Sequence, residues 1–266
     1  MNLKYLLGLT LSMPLLPIMY FQGKKIRSSV PKLDEATGIS GTTGQHSTRV
    51  LRMVTIGEST VAGVGVATHE EGFTGTLAKT LAEELDATIE WKVYAKSGYT
   101  AKRVTYKIIP KIEETDLDLI VIGLGGNDAF KLNSPGLWRS QMQTLIETLQ
   151  VKFPKAPICF MNMPPIKEFP AFTSLIKFTV GNLVELLGAE LEAVVQARKN
   201  VFYASEVITL DFWIKQLQTN KRPADFFSDG VHPSKFTYQV WGKYFGEYLL
   251  YDKEIRSILN QKITTA

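Results

Sequence analysis

Two rhythms of apolar residues take turns along this chain from residue 49 onward. Residues 51–56 are predominantly apolar and stop at Gly57, as a strand covered on both faces would. Phe73, Leu77, Leu81 and Leu85 then recur every four residues, which predicts a helix over 72–85. The switch repeats down the chain. Residues 89–98 read as a strand and 100–114 as a helix. Residues 116–128 hold a third strand without polar alternation, and 137–150 are helical. A strand over 156–163, a long helix from about 172 to 198, a last strand over 200–205 and a final helix over 234–250 follow. Strands alternating with helices imply a parallel sheet with helices on both faces, an α/β fold in three α/β/α layers. Ligands of such sheets bind beyond the carboxyl ends of the strands. The short polar segments after each strand are therefore where chemistry is expected.

The first 48 residues follow another pattern. Residues 5–21 are apolar almost throughout and carry no charge; at 17 residues the run is at the short end of a membrane-spanning helix. Pro14 and Pro17 would break a helix in water but are tolerated inside a membrane. A signal peptide is the rival reading, although no small-x-small cleavage site follows and Lys24 and Lys25 come almost at once. Residues 1–27 are thus expected to be an apolar anchor or signal-like segment that associates with a membrane, and an apolar helix docked on a soluble protein is the third reading. Residues 28–48, rich in Ser, Thr and Gly, are expected to be a flexible linker, and 49–266 the functional domain. Lys24, Lys25 and Arg27 outweigh Lys4 and the amino terminus, which leans the domain to the cytoplasmic side. Cleavage of a signal would make it secreted or periplasmic instead.

Charge sharpens this division. The six basic and two acidic residues of 1–49 account for the whole formal charge of +4, and the rest of the chain is neutral. No basic face for nucleic acid is expected there. The one cysteine, Cys159, lies in an apolar run and reads as core. No cluster of His and carboxylates has metal-ligand spacing, and no G-x-G-x-x-G marks a dinucleotide site, so no metal and no cofactor are expected.

The segments after the strands are Gly57-Glu58-Ser59, Lys96-Ser97-Gly98 and Gly125-Gly126-Asn127-Asp128, with Asp229-Gly230-Val231-His232-Pro233 before the last helix. A serine hydroxyl needs a base to act as a nucleophile. Of three histidines, His46 lies in the linker and His69 in a charged loop, and both read as exposed polar residues. His232 has Asp229 three residues earlier, a spacing that can set a carboxylate beside its Nδ1 and leave Nε2 for the serine proton. The Ser59 and Gly98 backbone N–H groups and the Asn127 side chain could donate to an oxyanion. Asp128 reads as a loop-bonding carboxylate.

These four segments, in this order, resemble the four motifs of the GDSL, or SGNH, hydrolases over about residues 50–250. The resemblance implies a flavodoxin-like fold and carboxylic ester hydrolysis through an acyl-enzyme. It implies Ser59 as nucleophile, His232 as base and then acid, Asp229 as its orienter, and Ser59, Gly98 and Asn127 as the oxyanion hole. Glu58 stands where the family usually has Asp. Phe169, Phe172, Leu175, Ile176 and Phe178 either line an acyl pocket or lid, or belong to the core of the next helix. A lipid-like or short acyl ester, such as a lysophospholipid, is the expected substrate. A sugar O-acetyl ester is the alternative within the resemblance, and a catalytically idle binding module is the alternative outside it.

Overall fold

The computed structural model describes residues 3–45 and 48–264; His46 lies outside the described residues. Helices α1 (Leu3–Ser12) and α2 (Leu16–Ser29) open the chain, followed by strands β1 (Ser40–Thr43) and β2 (Val50–Gly57). Then come α3 (Phe73–Leu85), β3 (Thr88–Ala95), α4 (Ala101–Lys107), β4 (Leu119–Gly123), α5 (Gly126–Phe130) and α6 (Pro135–Lys152). The chain finishes with β5 (Ile158–Phe160), α7 (Ser174–Gln196), β6 (Val201–Tyr203), α8 (Leu210–Gln216), α9 (Lys235–Tyr251) and α10 (Lys253–Thr264).

The strands form one sheet in the order β1-β3-β2-β4-β5-β6, parallel except for β1. The two-residue period divides the core across it. Leu51, Met53, Leu119, Val121 and Cys159 point to one face, under α3, α9 and α10. Val54, Ile56, Ile120, Ile122, Ile158 and Phe160 point to the other, under α4, α6 and α7. Both faces are buried, which is why these strands show no polar alternation. On the first face α3 and α9 approach closely. A side chain on Gly242 would come within 2.7 Å of the Phe73 carbonyl, and one on Gly246 within 2.8 Å of Thr80.

One expectation for the amino-terminal part needs correction. Ser40–Thr43, inside the presumed flexible linker, pairs antiparallel with Ile89–Lys92 and covers the edge of β3. The pairing is made by backbone groups, with Trp91 Nε1 donating to Thr43 Oγ1 at 3.1 Å. Such a strand needs no apolar alternation, so its sequence reads as loop. The prolines do not end the helical path. Residues 13–15 form a 3-10 turn with Pro14 in its first turn, and Pro17 sits in the first turn of α2, where a missing N–H costs nothing. Tyr5, Met19 and Ile26 pack against the core beside α7, and Thr173 donates to Gln22 Oε1 at 2.7 Å. Leu7, Leu9, Leu11, Met13, Ile18, Tyr20 and Phe21 are exposed. Residues 5–29 are long and apolar enough to cross a membrane by length and composition.

Candidate active site

The carboxyl ends of β2 and β4 meet at a pair of glycines, with the end of β3 beside them. Gly57 and Gly123 lie opposite each other in register, and a side chain on Gly57 would come within 2.5 Å of Val61. Without side chains there, residues 58–64 fold back over the sheet end, with Ala62 N–H donating to the Glu58 carbonyl at 2.8 Å and Val64 N–H to the Ser59 carbonyl at 3.1 Å.

Glu58 fastens this loop to the one after β4. It is 5% exposed. One carboxylate oxygen accepts from the Gly126 N–H at 2.8 Å, and the other from the Asn127 N–H at 2.9 Å and from Asn127 Nδ2. Burial pushes the Glu58 carboxyl up to about 7, against the lowering effect of those donors, and the nearby Asp128 adds to the rise. The second N–H of the Asn127 amide goes to the Tyr99 carbonyl at 3.1 Å. Asn127 therefore joins the loops after β2, β3 and β4, and both of its amide protons are engaged. Asp128 is fully buried and bonds the Ala101 N–H at 2.9 Å, at the start of α4, and Asn133 Nδ2 at 2.7 Å. Burial pushes its carboxyl up as well, against those two donors. Its part is to hold loops, as the sequence suggests.

The fourth segment docks on the first. Ser228 Oγ donates to the Gly65 carbonyl, and Tyr238 Oη donates to the Val64 carbonyl at 2.8 Å. Within it, Asp229 Oδ1 accepts from the Val231 and His232 N–H groups at 2.9 and 2.7 Å, and Oδ2 lies 2.7 Å from His232 Nδ1. The Asp229 side chain is shielded from solvent, whereas that of His232 is 22% exposed. Burial raises the Asp229 carboxyl, but the His232 ring and the two N–H groups outweigh it and hold it below the usual carboxylate range. An aspartate kept ionised against Nδ1 fixes the imidazole tautomer with Nε2 as the free acceptor.

Among the described residues, Ser59 Oγ makes no hydrogen bond, and neither do the backbone N–H groups of Ser59 and Gly98. Gly98 is exposed, adopts φ +78°, and has nothing within 4 Å of where a side chain would sit. Loops carrying Ser59, Gly98, Asn127 and the Asp229–His232 pair thus meet at one end of the sheet, with the Ser59 hydroxyl and two backbone N–H groups unengaged. Among the described residues no group of three or more His, Cys, Asp or Glu could hold a metal.

One further side chain differs from its sequence reading. His69 is 4% exposed and packs beside Gly63, and burial lowers its imidazole to about 4, so it is a neutral core residue rather than an exposed one. The five apolar residues after β5 divide. Phe169 and Ile176 are buried, while Phe172 and Leu175 are half-buried. Phe178 is exposed and lines a groove of about 440 Å³ between α7 and the amino-terminal helices. Phe227, Phe169, Phe172 and Phe130 form a row with ring centroids 5.2–5.4 Å apart. It lies beside the Asp229–His232 segment, where the Ala171 N–H donates to the Gly230 carbonyl at 3.1 Å. Ser59 and His232 line neither that groove nor a second cavity of about 250 Å³ between α7 and the ends of β5 and β6.

Solved structures share this fold. A lipolytic protein of the G-D-S-L family from Veillonella parvula is similar at 15% identity and a TM-score of 0.57, over 76% of this chain and 99% of that one. A family 3 carbohydrate esterase from Clostridium thermocellum is similar at 16% identity and a TM-score of 0.56, over 79% and 99%. The psychrotrophic esterase EstA from Pseudoalteromonas is similar at 17% identity and a TM-score of 0.52, over 77% and 98%. No curated protein matches the chain. The model of the GDSL-like lipase/acylhydrolase family matches residues 55–240, which take in all four loops of the site, and this protein belongs to that family.

Proposed function

We propose that the protein hydrolyses carboxylic esters through an acyl-Ser59 intermediate. The family supports ester hydrolysis in general. The observation that carries the finer reading is the buried, ionised Asp229 at 2.7 Å from His232 Nδ1, on a loop docked against the one that bears Ser59. In this reading Ser59 Oγ attacks the acyl carbon and its proton passes to His232 Nε2. Asp229 steadies the imidazolium. The oxyanion takes hydrogen bonds from the Ser59 and Gly98 N–H groups, and from Asn127 Nδ2 once that amide gives up one of its present partners. The ester bond breaks, the alcohol leaves with the proton from His232, and water releases the acid by the same steps reversed. Apo sites commonly hold such hydrogen bonds loosely and tighten them around substrate.

The row of four phenylalanines beside Gly230 supports an ester with an apolar part. The exposed apolar side chains of α1 and α2, followed by Lys24, Lys25 and Arg27, support attachment to a membrane and a lipid-like substrate. The charge balance favours a cytoplasmic site, and signal cleavage would instead give a secreted or periplasmic one. The likeness to a carbohydrate esterase supports a sugar O-acetyl ester as the second reading. An idle module is the reading left if no ester is turned over.

A series of p-nitrophenyl esters from acetyl to lauroyl, given to wild type and Ser59→Ala, tests this. Wild type should turn over esters and the variant should not. A rise with chain length favours lipid esters, and activity confined to acetyl favours the sugar ester. A variant as active as wild type would remove Ser59 from the mechanism.

A further inference from the structure

Residues 30–37 run from α2, which Gln22 and Thr173 fasten to α7, to the loops after β2 and β3. There they bind closely. The Ala36 and Thr37 N–H groups donate to the Ala62 and Ala67 carbonyls at 3.0 Å, and the His69 N–H donates to the Thr37 carbonyl at 2.9 Å. Ala36 is buried against Gly63, where a side chain would come within 2.6 Å of its Cβ. This strap lies directly on the loop that carries Ser59.

Glu35 reaches from the strap to the next loop. One carboxylate oxygen accepts from the Ser97 N–H at 2.8 Å, and the other from Lys96 Nζ at 2.9 Å. Ser97 precedes Gly98. Tyr99, which follows it, offers its carbonyl to Asn127. The turn around Gly98 is therefore held from both ends, at the Lys96–Ser97 peptide by Glu35 and at the Tyr99–Thr100 peptide by Asn127, and it is closed by the Tyr99 N–H donating to the Lys96 carbonyl at 3.2 Å. The space where a side chain on Gly98 would sit is open, and a glycine at φ +78° resists rotation least of all residues. Hydrogen bonds at its flanks are what can fix the direction of its N–H.

We propose that Glu35 is a positioning residue that aims the Gly98 N–H at the oxyanion. This rests on the acyl-Ser59 reading. An oxyanion donor acts by being oriented before the charge develops, so loosening it should lower kcat and leave ground-state binding unchanged.

The test compares wild type, Ser59→Ala, Glu35→Ala and Glu35→Gln on p-nitrophenyl butyrate, with the melting temperature of each. Glu35→Ala should lose about 10- to 100-fold in kcat with KM held within about twofold, less than outright removal of a donor costs. Glu35→Gln, whose amide oxygen can still accept from the Ser97 N–H, should recover most of that loss. Wild-type kcat in Glu35→Ala overturns the proposal. So does an equal loss in both Glu35 variants, a loss carried by KM, or a loss that vanishes when each is assayed well below its melting temperature. In those cases an active wild type beside a dead Ser59→Ala leaves the acyl-Ser59 reading standing. A wild type that turns over no ester, or an active Ser59→Ala, ends both.

Discussion

Glu58 should make folding stability depend on pH in a way that a single substitution removes. Its carboxyl is pushed from 4.5 to about 7 by burial. A carboxyl raised in the folded state binds its proton more tightly there than in the unfolded chain. Its contribution to stability is therefore fully present below pH 4.5 and is lost as pH rises through 7. At about 1.4 kcal/mol per pH unit, the loss between pH 5 and pH 8 comes to roughly 2–3 kcal/mol. Asp128, also raised by burial, changes stability in the same direction.

The contrast to measure is wild type against Glu58→Gln. The amide cannot titrate. It also turns one acceptor into a donor facing the Gly126 or Asn127 N–H groups, which costs stability by an amount nearly independent of pH. Urea unfolding at pH 5, 6, 7 and 8 gives a stability for each protein at each pH. Wild type minus variant should fall by about 2–3 kcal/mol from pH 5 to pH 8, with the other titrating groups cancelling. A difference that stays flat within about 0.5 kcal/mol would show that Glu58 is ionised throughout and that its three donors outweigh burial.

The remaining expectations concern the site and the two ends of the fold. Asn127→Ala should lower kcat by roughly 10²–10³ if its amide reaches the oxyanion; a loss under about tenfold would leave it as a tie between Glu58 and Tyr99. Gly242→Ala should destabilise the fold by about 1–3 kcal/mol, read by urea unfolding, because its methyl meets the Phe73 carbonyl; an unchanged midpoint would mean that α3 and α9 separate at little cost. Removing residues 1–29 should move the protein from the membrane fraction to the soluble one, and equal partitioning with and without them would refute the anchor.

The strand runs were legible because both faces of this sheet are buried. Leu119–Gly123 has no exposed residue, and its sequence shows it. The helix over 72–85 was legible for a related reason: Phe73, Leu77, Leu81 and Leu85 lie along the buried side of α3. The positions of Ser59, Gly98, Asn127 and the Asp229–His232 pair at loop ends followed from the alternation of elements and from motif order. The 2.7 Å approach of Asp229 to His232 is local in sequence, three residues apart, and so was within reach of the same reading. His69 was misread because its charged neighbours suggest solvent, while the strap and the loop of Ser59 bury it.

What the sequence by itself determined is the order of the five parallel strands and of the long helices that alternate with them, the loops that carry the polar groups, and the family. Periodic burial and short-range spacing leave their marks in the order of residues. The tertiary structure alone decided which distant groups share a hydrogen bond. Glu58 meets Asn127 across 69 residues, and Glu35 meets Ser97 across 62. A carboxylate has the same appearance in a sequence whether it faces water or two backbone N–H groups. Only the crossing of the loops at the sheet end turns Glu58 into a clamp and Glu35 into part of the strap. Backbone pairing is equally silent, which is why the edge strand β1 was hidden in a segment that reads as linker.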